Sequence, residues 1–179
     1  MQYRLFDVSE LDEIQALYQS SFGDAEGEKE GHTIGQLARD MLETTPSNQR
    51  YCFVATDKGR LTGAVIFTQM TFTASSIKTY ILSPMAVATS NQKQGIGQAL
   101  IRFGIDQLKA DQVELLITYG DPNYYQRVGF NAVTIEEVPA PQPLSFPHGW
   151  IAQMLNGKEL PKLSGTSKCV DALNQPHFW

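Results

Sequence analysis

The sequence predicts a mixed α/β fold with a mostly antiparallel central sheet flanked by helices. Three observations support this. A strand pattern and two helix patterns open the chain, and strand-like runs joined by short turns follow. Residues 78–130 then alternate between strand and helix patterns, with a glycine turn at one strand-to-helix junction. The length of 179 residues, 42% of them hydrophobic, suits one domain with a full core.

The first half of the chain contains one strand and two helices by pattern. Residues 3–7 read as a strand, and Ser9 is a plausible N-cap with Asp12 three residues on. Apolar residues then recur at helical spacing up to Phe22. The polar, glycine-bearing stretch GDAEGEKEGH predicts a loop, and a second helix is expected over residues 33–42.

The central part of the chain predicts the sheet. Strands are expected over residues 51–56, 61–72 and 78–87, with DKGR as a turn between the first two. A helix follows, with one polar stripe opposite a wide apolar arc. Residues 113–119 predict a further, buried strand.

The last part begins with a short helix that Pro122 opens and Gly129 ends. The proline-rich segment VPAPQPLSFPHG is an extended connection by composition. Residues 150–155 and 169–173 are the last strand candidates.

Charge and composition exclude several function classes. The net charge is −5 and there is no basic run, which argues against nucleic acid and anionic lipid as partners. No apolar segment approaches ~18 residues, and the start of the chain lacks a signal-peptide pattern, so a cytoplasmic location is expected. Cys52 and Cys169 have no metal or disulfide spacing, and Cys52 within YCFVA is expected to be a core thiol.

The glycine turn NQKQGIGQAL suggests a phosphate site. A P-loop needs Lys and Ser or Thr after its last glycine, but Gln98 and Ala99 follow Gly97. A dinucleotide fingerprint needs a third glycine where Leu100 stands. What remains is a Gln-x-x-Gly-x-Gly turn before a helix, whose free N–H groups and positive dipole end attract anions. These residues alone leave open whether the turn binds a pyrophosphate or is a plain tight turn.

The wider pattern resembles a known family. The motifs of the chain come in the order PMAV, then seven residues, GIG, a helix, a strand and YYQRVGF. In this order the chain resembles the GNAT superfamily of acyl-CoA-dependent acetyltransferases. The resemblance runs from the first strand to Phe130. The stretches SFGDAEGE and GDPNYYQRVGF look most like the YhbS-like branch.

The resemblance implies a GNAT fold with splayed fourth and fifth strands and with acetyl-CoA as co-substrate, without a metal. The whole chain, residues 1–179, would be a single N-acetyltransferase domain with its core in residues 1–135 and C-terminal strands and loops in 136–179. Main-chain groups at a bulged strand end would bind the pantetheine arm, namely Met85, Ala86 and Val87. The glycine turn would wrap the pyrophosphate, namely Gln92, Lys93, Gln94, Gly95, Ile96, Gly97 and Gln98.

By the same resemblance, Tyr125 aligns with the tyrosine that faces the thioester sulfur, and the Tyr-x-x-x-Gly-Phe spacing selects it over Tyr124. A phenol can donate a proton to the departing thiolate. Many members of the family place an asparagine seven residues before this tyrosine. Here Thr118 stands there, so a cofactor contact from Asp121, Asn123 or the Gly120 main chain is a candidate substitute.

A base that deprotonates the amine is expected in the stretch after the first helix. Glu26 is preferred because SFGDAE matches the branch. Glu28, Asp24 and His32 are alternatives, and a water chain could replace any of them.

The leading hypothesis is an acetyl-CoA-dependent N-acetyltransferase in which a primary amine attacks directly within a ternary complex. The alternatives are a catalytically silent CoA-binding sensor or interaction module, and a tRNA-directed acetyltransferase, which the charge of −5 disfavours. The expected partner is an amine-bearing small molecule or a protein amine, with no nucleic acid and no membrane. The acidic stretch GDAEGEKE favours a cationic acceptor, and a homodimer is a further expectation.

Overall fold

The computed structural model describes residues 1–179. The helices are α1 (Leu11–Glu26), α2 (Glu28–Thr44), α3 (Ile96–Ala110) and α4 (Pro122–Tyr125). The strands are β1 (Gln2–Leu5), β2 (Arg50–Asp57), β3 (Arg60–Phe72), β4 (Ser75–Val87), β5 (Leu115–Tyr119), β6 (Asn131–Ala132), β7 (Trp150–Met154) and β8 (Ser167–Lys168). No helix is long and apolar enough to span a membrane.

The residues cluster into two compact units, Met1–Phe67 with Pro84–Gly104 and Thr68–Ser83 with Ile105–Trp179. In the first unit the strand order is β1-β2-β3-β4, with β1 antiparallel to β2. In the second unit the order is β4-β5-β7-β6, and β8 pairs with β3. β4 and β5 are parallel, whereas β7 is antiparallel to both β5 and β6. The predicted mixed α/β class with a mostly antiparallel sheet is confirmed.

Each unit has an aromatic core. In the first unit, the Phe53 ring meets the rings of Phe67 and Phe103 edge-on, at centroid distances of 6.0 and 5.5 Å. In the second, Trp150 is buried and its indole N–H donates to the Val138 carbonyl at 2.8 Å. This bond holds the start of the proline-rich connection against β7.

The N-terminal helical hairpin differs from the prediction. The stretch GDAEGEKEGH is helical on both sides of Gly27, whose φ of 102° and ψ of 158° are accessible to glycine alone. One residue therefore makes the turn for which the sequence suggested a loop. The predicted Ser9 cap is also wrong. Asp7 caps a short 3-10 turn instead, accepting the Ser9 N–H at 2.9 Å while Glu10 accepts the Asp7 N–H at 2.7 Å, and α1 begins at Leu11.

Glycines allow α1 and α2 to approach closely. A Cβ placed on Gly31 would overlap backbone atoms of Gln19 and Gly23. A Cβ on Gly35 would lie 3.1 Å from the Gln15 carbonyl oxygen. The two helices thus pack backbone against backbone.

A proline interrupts β4. Parallel pairing with β5 ends at Leu82 and Thr118, whereas β4 runs on to Val87. Pro84 has no N–H to give to β3. The buried Tyr18 hydroxyl of α1 lies 3.0 Å from the Ala64 carbonyl and 2.9 Å from the Pro84 carbonyl, and its one hydrogen goes to one of the two at a time.

The C-terminal strand predictions are partly wrong. Residues 150–155 form β7, but 169–173 form a turn in which Leu173 and Asn174 donate to the Val170 carbonyl. The strand lies just before it, where Ser167 and Lys168 pair with Phe72 and Thr71. Cys169 and Leu173 are both buried, and this apolar content made the turn look like a strand.

The α1–α2 contact predicts opposite effects for two neighbouring glycines. Gly31→Ala should lower the free energy of unfolding by about 2 kcal/mol, because the methyl group would overlap rigid backbone. Gly23→Ala is the matched control, since its Cβ would meet only the Gly31 Cα at 4.0 Å. Because alanine has a higher helix propensity than glycine, the free energy of unfolding of Gly23→Ala should be unchanged or up to ~1 kcal/mol higher. Urea unfolding of both variants measures the difference, and equal stabilities would contradict this packing.

Candidate active site

The glycine turn has a backbone shape suited to an anion. Lys93 and Gly95 have positive φ values of 61° and 78°, whereas Gln94 between them does not. Alternating left- and right-handed residues point successive N–H groups into one concavity, which is a common anion site. Gly95 also starts α3, because its carbonyl accepts the Ala99 N–H at 3.0 Å. Residues 92–95 are exposed.

Side chains of α1 form hydrogen bonds with the segment that leads into this turn. The Ser21 hydroxyl donates to the Val87 carbonyl at 3.0 Å, and the Gln92 side-chain amide donates to the same carbonyl at 3.1 Å. The Thr89 hydroxyl donates to the Asp24 carboxylate at 2.6 Å. Gln92 is predicted to belong to the turn that wraps the cofactor, and its side chain is turned back onto the strand that precedes it.

The end of β4 presents alternate main-chain groups to its two sides. The Ala88 N–H donates to the Thr62 carbonyl of β3 at 2.9 Å. The Ala86 carbonyl faces β3 as well, and a Cβ on Gly63 would lie 3.3 Å from it. Because successive residues of a strand point their N–H and C=O groups to opposite sides, Met85 and Val87 direct theirs away from β3.

Tyr125 lies on a short helix with well-defined ends. Asp121 caps α4 by accepting the Asn123 N–H at 2.9 Å, and Pro122 occupies the first turn. Gly129, at φ 100°, ends the following 3-10 turn in the left-handed region. The chain then brings the Phe130 ring edge-on to Tyr125, with centroids 5.6 Å apart. The Tyr-x-x-x-Gly-Phe spacing is thus the length of one helical segment and its cap.

The Tyr125 phenol is hydrogen-bonded to the side chain of Thr118. Although the residue as a whole is half-buried, burial of the phenol raises the pKa of Tyr125 to about 12. The Thr118 hydroxyl donates its one hydrogen to the Leu82 carbonyl at 2.9 Å. Its oxygen therefore accepts from the phenol, which stays protonated at neutral pH.

Comparison with known proteins identifies the domain. Residues 48–132 match the acetyltransferase (GNAT) domain. The chain carries a GNAT acetyltransferase domain. The uncharacterized N-acetyltransferase YjhQ of Escherichia coli K12 is 29% identical over 174 residues, covering 94% of this chain and 92% of YjhQ. The uncharacterized N-acetyltransferase YhbS of the same strain is 30% identical over 118 residues, 65% of each chain.

A solved structure superimposes on nearly the whole chain. The crystal structure of E. coli YhbS in complex with CoA superimposes with a TM-score of 0.82 and 22% identity, covering 97% of this chain and 92% of that one. The predicted membership of the GNAT superfamily, the YhbS-like resemblance and the assignment to GNAT-type acyltransferases are confirmed.

The GNAT domain departs from the family pattern at Thr118, and the structure gives that residue a partner in Tyr125. Two of the proposed substitutes make other hydrogen bonds. Asp121 caps α4, and the Gly120 N–H donates to the Gly149 carbonyl at 3.0 Å. A Cβ on Gly120 would lie 2.7 Å from Cε2 of Tyr125, so this glycine makes room for the tyrosine ring. The sequence analysis missed this role of Gly120, although the Gly-Asp-Pro turn after β5 was a signal for it.

The candidate bases lie in the helical hairpin formed by α1 and α2. Glu26 is the last residue of α1 and Glu28 the first of α2, and both are exposed, as is His32. Asp24 is exposed as well and accepts a hydrogen bond from Thr89. The structure thus brings Asp24, but not Glu26, to the segment that leads into the glycine turn.

The cysteines are core residues. Cys52 is fully buried and Cys169 is 3% exposed. Burial raises the pKa of both thiols, that of Cys169 to about 11, so neither is a thiolate at neutral pH. The prediction that Cys52 is a core thiol is confirmed. The structure has no group of three or more His, Cys, Asp or Glu side chains arranged to hold a metal ion.

Proposed function

We propose that this protein transfers an acetyl group from acetyl-CoA to a primary amine, which attacks the thioester directly in a ternary complex. The GNAT domain and the CoA complex of YhbS support acetyl-CoA as the donor. The observation that carries the proposal is the Tyr125 phenol, a proton donor at neutral pH that is hydrogen-bonded to Thr118. A protein that only binds CoA needs no such proton donor.

The cofactor site is proposed on the end of β4 and the turn that follows. The pyrophosphate would lie against the N–H groups of residues 92–98, at the positive end of the α3 dipole and beside the Lys93 charge. Met85 and Val87 direct main-chain groups away from β3, where the pantetheine arm would pair with them as an added strand. Ala86 points its main chain to β3, so its proposed contribution is the strand geometry. Gln92 would act through its hydrogen bond to Val87.

The proposed reaction exchanges one bond for another at the acetyl carbonyl carbon. The amine nitrogen forms the new C–N bond, the C–S bond breaks, and CoA leaves. Tyr125 would donate its proton to the sulfur, and solvent would restore the phenol. The carbonyl oxygen, which becomes negative during attack, would be stabilised by main-chain N–H groups at the end of β4.

The acceptor amine loses a proton before or during attack. Glu26 is the proposed base, with the carboxylates of Asp24 and Glu28, His32 or a water chain as alternatives. The exposed acidic residues around Gly27 favour a cationic acceptor, either a small amine or a protein amine. A single domain over residues 1–179, a homodimer and a cytoplasmic location stay predictions from the sequence.

Thiol release from acetyl-CoA in the presence of an amine panel tests the function. The panel should contain simple amines, polyamines, aminoglycosides and lysine peptides. Turnover with at least one of them supports the proposal. Tight acetyl-CoA binding without turnover on any of them would favour the alternative, a CoA-binding sensor.

The glycine turn can be tested by a matched pair of variants. Gly95→Val should raise the Kd for acetyl-CoA about tenfold or more, because a β-branched residue cannot keep the positive φ of 78° without strain. Gly59→Val is the control, since Gly59 in the β2–β3 turn has the same φ of 78° and equally open surroundings. Calorimetry measures both, and an unchanged Kd for Gly95→Val would remove the turn from the site.

Tyr125→Phe should lower kcat about 100-fold while the Kd for acetyl-CoA stays nearly unchanged, because only the proton donor is lost. Tyr124→Phe is the matched control and should keep near wild-type turnover. Since the pKa of Tyr125 is raised to about 12, proton donation should persist through neutral pH and disappear only as pH rises toward 12. Wild-type kcat in Tyr125→Phe would rule out the acid role.

A further inference from the structure

We propose that Ser21 and Gln92 are positioning residues that lock the Val87 peptide group and so set the hydrogen-bond register of the acetyl-CoA arm on β4. The inference rests on the proposed cofactor site. It adds a specific role for α1, a helix that carries none of the predicted cofactor residues.

One stripe of α1 contacts β4 and its exit at three successive points. Tyr18, Ser21 and Asp24 are spaced three residues apart and therefore share a helix face. Their partners follow in chain order. The Tyr18 hydroxyl meets the Pro84 carbonyl at 2.9 Å, the Ser21 hydroxyl meets the Val87 carbonyl at 3.0 Å, and the Asp24 carboxylate accepts from Thr89 at 2.6 Å.

The Val87 carbonyl is saturated. A carbonyl oxygen has two lone pairs, and here Ser21 and Gln92 occupy both, at 3.0 and 3.1 Å. The Gln92 amide nitrogen also lies 3.5 Å from the Ser21 oxygen, so the three groups form a closed triangle. Ser21 is only 7% exposed, which leaves water little room to replace its hydroxyl.

The other end of the same peptide group is fixed too. Its N–H belongs to Ala88 and donates to the Thr62 carbonyl at 2.9 Å. The Val87–Ala88 peptide plane is therefore held from both sides, by α1 and Gln92 at the oxygen and by β3 at the nitrogen. This fixes the orientation of the Val87 residue just before the glycine turn.

A definite register follows for the ligand. An amide of the pantetheine arm cannot donate to Val87, because that carbonyl has no free lone pair. The arm can place the carbonyl of one amide on the Val87 N–H and donate the N–H of its other amide to the Met85 carbonyl, since both protein groups point away from β3. Loss of Ser21 or Gln92 would free the peptide plane to rotate and weaken this pairing.

The test compares two adjacent serines. Ser21→Ala should raise the Kd for acetyl-CoA about fivefold, the typical effect of one lost hydrogen bond. Ser20→Ala is the control, because the Ser20 hydroxyl donates only within α1, to the Leu17 carbonyl at 3.1 Å. Gln92→Leu removes the second donor at an exposed position and should weaken acetyl-CoA binding to a similar extent. It provides the same information if Ser21→Ala fails to fold.

ADP is the second probe, because it carries a pyrophosphate but lacks the pantetheine arm of acetyl-CoA. The positioning role predicts that Ser21→Ala weakens the binding of acetyl-CoA but leaves the affinity for ADP, measured by competition, unchanged. Equal weakening of both ligands would indicate a merely structural role and overturn the inference, as would identical acetyl-CoA affinities in Ser21→Ala and Ser20→Ala. A wild-type protein that binds no acetyl-CoA would instead overturn the proposed function itself.

Discussion

The Tyr18 hydroxyl is the point at which α1 is held to the two strands that lead to the proposed cofactor segment. It is buried, and it lies 3.0 Å from the Ala64 carbonyl of β3 and 2.9 Å from the Pro84 carbonyl of β4. Ser21 and Asp24, further along the same helix face, reach Val87 and Thr89. α1 therefore contacts three successive points of the segment proposed to bind the cofactor.

In the second compact unit, a short helix returns the phenol of Tyr125 to the strand that precedes it. β5 ends at Tyr119, and the four residues of α4 bring Tyr125 back to Thr118, with room made by Gly120. Burial raises the pKa of Tyr125 to about 12, and the Thr118 hydroxyl in turn donates to the Leu82 carbonyl of β4.

The fold of this chain is shared with a protein of quite different sequence. The fold superimposes on YhbS with a TM-score of 0.82 at only 22% identity. The features proposed here for cofactor binding are main-chain N–H groups, a helix start and positive-φ glycine, all of which tolerate wide sequence change. The helical hairpin presents its acidic residues around Gly27 on the surface, where side chains can vary without cost to the core. Acceptor choice in the proposed enzyme would depend on such surface positions.

The sequence by itself determined the fold class, most strand positions, the short helix between Pro122 and Gly129, and the glycine turn before α3. These features depend on local rules of periodicity, proline and glycine conformation. It did not determine that residues 24–30 are almost wholly helical, because acidic and glycine-rich composition is shared by loops and helix ends. Nor did it reveal Ser21 or the partner of Thr118. Only the tertiary structure decided these, since a hydroxyl that donates to a carbonyl 66 or 36 residues away leaves no periodic trace in the chain.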